Sequence, residues 1–155
     1  MEKRVSHNVI WDFLDDMPIE RDDFNNAVIA KQFFNFNNSN NWDPNEIIID
    51  KTEVKICYSA EMYSKEDVLA NEILVEFKSV PNWEEMGFEE EPFWATLIMT
   101  LKADNNENFP ALELLYKLHD QLFNKDGDSH IYLDGLEINE NPKKKYDYLM
   151  HFDFG

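Results

Sequence analysis

FWATLIMTLKA, residues 93–103, is the stretch that decides the fold class. It is nearly continuously apolar, so it is expected to be a central strand covered on both faces. Asp104 to Asn108 makes a turn. FPALELLYKLHDQLF (109–123) follows as the most secure helix of the chain. Pro110 suits its first helical position, and Leu112, Leu115, Leu118, Leu122 and Phe123 fall on one stripe. Residues 130–138 (HIYLDGLEI) read as a strand interrupted at Gly135 by a bulge. After a turn through Pro142, residues 146–154 (YDYLMHFDF) alternate as a last strand, paired with 130–138 as a hairpin. The C-terminal part therefore runs strand, helix, strand, strand. The fold class that follows is α+β, a mostly antiparallel sheet with helices packed on one face.

Working back toward the N-terminus, PNWEEMGFEEEP (81–92) is a proline-bounded loop. Residues 73–80 read as a strand, with Ile73, Val75 and Phe77 alternating against Glu72, Glu76 and Lys78. Ser64 and Asp67 form a weak capping box before it. Residues 46–63 are strand, or two strands broken near Asp50-Lys51, with Val54, Ile56 and Tyr58 alternating against Lys55 and Cys57. The Asn-rich tract 35–45 is a loop. Asp22 or Asp23 caps a helix over 23–34 whose stripe contains Phe24, Val28 and Phe34. Residues 5–14 form a short strand or an opening helical turn, ended at Met17-Pro18. With 155 residues and no linker, the chain is expected to be a single domain, 1–155.

Composition narrows the function. The chain carries 32 acidic against 14 basic residues, a net charge of −18, well above the few units that solubility requires. Binding to nucleic acid through phosphates, or to anionic membranes, is excluded by the shortage of Lys and Arg. The field favours basic partners and speeds their encounter. Twelve Phe, six Tyr and four Trp are inconsistent with a disordered acidic tail. Charges at Asp12, Asp15 and Asp16 break any apolar core of an N-terminal signal, and Met1 reads as the native start. The lone Cys57 fits a buried, inert thiol in a reducing compartment, so the expected location is cytoplasmic.

Catalytic constellations are sought and not found. Phosphate-cradling motifs need glycines, and those at 87, 127, 135 and 155 complete neither GxGxxG nor GxxxxGK[ST]. GxSxG and HExxH are absent as well. Asn124, Asp126 and Asp128 open like a calcium loop, but Ser129 and Gly135 occupy the places where glycine and a carboxylate are needed. A helix turns His119 and Asp120 to different faces. His130 and His151 are read as strand polarity across the terminal hairpin. No catalytic residue, metal site or cofactor is assigned. The basic run 143–145 is read as solubility and edge protection at a hairpin tip.

One feature remains, the acidic and aromatic loop 82–92. Loops carry function because a rigid scaffold presents them, and aromatic anchors ringed by acids suit a basic protein partner. The expected contact residues are Trp83, Glu84, Glu85, Phe88, Glu89, Glu90 and Glu91, with Trp42 and Asp43 as a second candidate. The plain alternative is a solvated loop whose Trp83 and Phe88 fold back on the core.

The acidic, cysteine-poor, motif-free character and the segment FPALELLYKLHDQLFNKDGDSHIYLDGLEI (109–138) resemble bacterial immunity proteins of polymorphic and contact-dependent toxin systems. The resemblance implies a cognate toxin partner, often a basic nuclease, and carries over no specific site. The expected function is an immunity-type inhibitor, monomer or homodimer, acting without catalysis. A DNA-mimic inhibitor of a nucleic-acid-binding protein, a carboxylate-based hydrolase and a plain structural subunit stay open as alternatives.

Overall fold

The computed structural model describes residues 4–5, 11–13, 20–36, 42–87, 89–122 and 132–153. In chain order these form β1 (Arg4–Val5), α1 (Arg21–Phe36), β2 (Ile47–Ile49), β3 (Glu53–Met62), β4 (Glu72–Ser79), β5 (Phe93–Lys102), β6 (Phe109–Pro110), α2 (Ala111–Leu122), β7 (Tyr132–Ile138) and β8 (Tyr148–Asp153). A single 3₁₀ turn at Lys65–Asp67 precedes β4, with the Ser64 hydroxyl accepting from the Glu66 N–H at 3.1 Å. A six-stranded sheet has the order β1-β7-β8-β3-β5-β4, and β2 pairs with β6 in a separate two-stranded ribbon. Every pairing is antiparallel except β3 with β8. The fold is α+β with a sheet-dominated core. None of the described helices is long and apolar enough to cross a membrane.

Alternation in β3 and β5 decides where the core lies. Val54, Ile56 and Tyr58 stand opposite Leu101, Met99 and Leu97, and all six are at most 6 % exposed. Both helices cover this face, contributing Phe24 and Val28 from α1 and Leu114, Leu115, Leu118 and Leu122 from α2 to one continuous core. Burying one such side chain fully is worth about 1.5–3 kcal/mol. Phe33, Phe34 and Phe123 lie outside the described side chains.

Several expectations are met in detail. The break near Asp50-Lys51 separates β2 from β3. The terminal hairpin is β7 with β8, and its register shifts between Leu133 and Gly135, where Gly135 has φ 112°. Helix α2 starts at Ala111, so Pro110 is not its first helical position as expected. Phe109 and Pro110 instead pair with Ile49 and Ile47. Loop carbonyls then take the first helical donors: Ala111 N–H bonds to Glu46 O at 2.8 Å and Leu112 N–H to Pro44 O at 3.0 Å. Those N–H groups have no partner within a helix, so the ribbon supplies what the first turn lacks.

Two further expectations are corrected. Strand β5 is internal to the sheet, but the described helices cover only one of its faces; on the other, Ile98 is buried, 8 % exposed, while Trp94 is 46 % exposed, so cover on both faces holds only in part. Strand β4 is inverted over its first half. Glu72 and Leu74 stand opposite Met99 and Leu97 on the core side, while Ile73 and Val75 are 61 % and 57 % exposed. A bulge between Leu74 and Glu76 restores Phe77 to the inner side, opposite Ala95. One extra residue flips every later side chain. The inversion is held by a polar contact, because the buried Glu72 carboxylate accepts from the Tyr58 hydroxyl and from Leu69 N–H at 2.9 Å.

Candidate functional site

The acidic loop joins β4 to β5 and is closed at its base by a hydrogen bond from Val80 N–H to Pro92 O at 3.3 Å. Its first half is wound rather than extended. Glu85 N–H and Met86 N–H reach Asn82 O at 3.1 and 3.3 Å, and Gly87 N–H reaches Glu84 O at 3.3 Å. Asn82 and Gly87 bracket this turn at φ 56° and 88°, a region open to glycine and tolerated by asparagine. The sequence therefore builds a wound turn in the first half of the connection. Trp83 is half-buried there, and Met86 is 64 % exposed beside it.

Glu84, Glu85, Glu89, Glu90 and Glu91 are all exposed. Among the described residues none of these five carboxylates is ion-paired, whereas Asp104, Asp147, Glu76, Glu113 and Glu137 are. Asp104 joins Arg21 at 2.7 Å and Lys117 at 2.9 Å, and Lys117 also holds Glu113 at 3.1 Å. The hydrogen bond from Lys117 is the main force holding the Asp104 carboxyl below its ordinary range, aided by Arg21. Lys51 meets Asp147 at 3.1 Å, and His151 meets Glu137 at 2.7 Å. Arg21, Lys51 and Lys117 thus join separate parts of the fold, and none of the loop glutamates shares in these pairs.

The other expected contact residues divide. Phe88 lies outside the described residues. Trp42 lies in a different connection, between α1 and β2. It is only 8 % exposed and its indole N–H donates to Asn25 Oδ1 at 2.7 Å. Trp42 is a core group that pins α1, so it leaves the contact surface. Asp43 is exposed and accepts from Asn45 N–H at 3.0 Å, which closes a local turn.

Groups weighed for chemistry are placed as follows. Cys57 is 6 % exposed, and burial pushes its thiol up, with the Lys144 charge offsetting part of that rise. A raised thiol is a poor nucleophile at neutral pH. His119 is fully buried and its Nδ1 accepts from the Trp11 indole N–H at 2.8 Å, whereas Asp120 is exposed. Among the described residues no three His, Cys, Asp or Glu side chains are grouped as for a metal ion. The calcium-like stretch 124–130 and His130 lie outside the described residues.

Exposed residues that the sequence reading did not pick are Met86, Trp94, Ile73 and Val75. A signal for Trp94 was present. One side of β5 reads Ala95, Leu97, Met99 and Leu101, and the other reads Trp94, Thr96, Ile98 and Thr100, half of it hydroxyl-bearing. Set against protein-family models, curated proteins and solved structures, the chain finds no significant match in any of the three.

Proposed function

We propose that this protein is an immunity-type inhibitor, cytoplasmic, that binds and neutralises a cognate protein toxin through the β4–β5 loop. The observation that carries the reading is the set of five exposed, unpaired glutamates around half-buried Trp83 and exposed Met86 on a loop closed at its base. Exposed carboxylates grouped on one loop attract a basic surface and orient its approach. The aromatic and thioether groups supply apolar contact area once that surface has docked. A basic nuclease is a toxin of the right chemistry.

The test is co-purification from the native host, with the captured protein identified by mass, titrated with salt and assayed for toxicity. A single basic partner, whose toxicity is relieved by co-expression of this chain, supports the reading. Changing all five loop glutamates to glutamine should then slow association on the order of tenfold at low salt. Recovery of no basic partner, or equal binding by the glutamine variant, overturns it.

A further inference from the structure

The sheet face opposite the helices bears on the partner more directly than the loop alone. Its residues follow from the register. Trp94 stands between Lys78 on β4 and Glu61 on β3. The next row is Glu76, Thr96 and Ser59, and the Lys78 ammonium reaches back to Glu76 at 3.1 Å. Lys78, the one base in these rows, is therefore already engaged. Trp94 follows Pro92 by two residues, so it begins this face where the loop ends. A tryptophan left 46 % exposed on a sheet, without helix cover, retains the apolar area and the ring face that interface anchors use.

We propose that this open face, centred on Trp94, forms one continuous contact surface with the acidic loop, and that it takes the arginine or lysine side chains of a basic protein. The inference rests on the proposed inhibitor function and deepens it by naming the anchor and the partner's chemistry. Charge complementarity selects the occupant. The loop carboxylates precede Trp94 in the chain, Glu91 by three residues; its ring face suits a cation, and arginine stacks best because its planar group is weakly hydrated. Hydroxyls of Thr96 and Ser59 in the next row accept the remaining guanidinium donors.

The experiment uses the full chain with hexa-arginine as the probe and hexa-glutamate as control. Tryptophan indole N–H resonances are assigned by single Trp→Phe variants and followed during titration. The expected result is a salt-sensitive shift of the Trp94 indole together with loop amides. Trp94→Ala should weaken hexa-arginine binding by about threefold, and Thr96→Arg, which sets a positive charge on the same face, should weaken it further. Shifts confined to residues 84–91, with Trp94→Ala and Thr96→Arg binding as the wild type, overturn the proposal for the sheet face. They leave the loop's role in the inhibitor reading intact. A missing toxin in co-purification, with the Trp94 shift present, overturns the inhibitor reading instead. No shift anywhere overturns the cation-binding surface outright.

Discussion

On one side of β5, Ala95, Leu97, Met99 and Leu101 are at most 6 % exposed beneath the helices. On the other side of the same strand, Trp94 is 46 % exposed and Thr96 and Thr100 are half-buried, while Ile98 is buried, 8 % exposed. The covered face holds the two layers together, because removing apolar area from water is the dominant favourable contribution to folding. On that side Ile98 and its neighbour Cys57 are also buried, so only the Trp94 end contributes less to stability and leaves its side chains free for another purpose. The contrast teaches where to look for a binding surface: among large side chains whose exposure the fold does not require.

Substitutions that separate the two faces put this contrast at risk. Leu118 is fully buried on the helical side, so Leu118→Ala should cost about 2–5 kcal/mol in urea unfolding. Trp94→Ala should stay within about 0.5–1 kcal/mol of the wild type. Equal losses would break the distinction between a stabilising and a free face.

The edge strand offers a sharper version. Tyr58→Phe removes the donor to the buried Glu72 carboxylate and should cost about 1–3 kcal/mol. Burial first, then the Glu72 hydrogen bond and charge, raise the Tyr58 phenol far above its ordinary 10.0. The folded state keeps a proton that the unfolded chain releases. Stability from this group is therefore complete below the unfolded pKa and is lost as pH climbs past it. Urea midpoints measured from about pH 8 to about pH 11 should fall for the wild type and fall less for Tyr58→Phe. Parallel curves would remove Tyr58 as the cause.

At the loop, Gly87 has φ 88° and a Cβ placed there would meet nothing within 4 Å. Gly87→Ala should then cost about 1 kcal/mol by backbone strain alone. A larger loss would show that the turn is packed more tightly than it looks. The smallest effect belongs to Asp104, half-exposed and held low by Lys117 and Arg21. Its contribution is present above the ordinary 3.8 and is lost as pH falls through the lower folded value. Asp104→Asn should flatten that part of the acid unfolding curve, modestly because water screens the pair.

Much of the architecture was legible along the chain. The stripe of α2, the two-part strand 46–63, the bulge at Gly135 and the terminal hairpin each rest on residues adjacent in sequence, where period and turn chemistry speak directly. The loop's acids were equally plain. Trp42 was misplaced because a tryptophan in an Asn-rich tract reads as exposed until its partner Asn25, on another element, is known. In β4 the visible alternation of Ile73, Val75 and Phe77 named the wrong face, since the bulge and the Tyr58–Glu72 contact that set the register join separate strands.

The sequence by itself determined that the chain forms an α+β domain, where its principal strands and helices fall, and that a cluster of glutamates with Trp83 lies in one connection. Tertiary structure alone decided which side of β5 is covered, which half of β4 turns inward and which tryptophans reach solvent. Secondary structure follows local periodicity, whereas burial depends on neighbours brought from far along the chain.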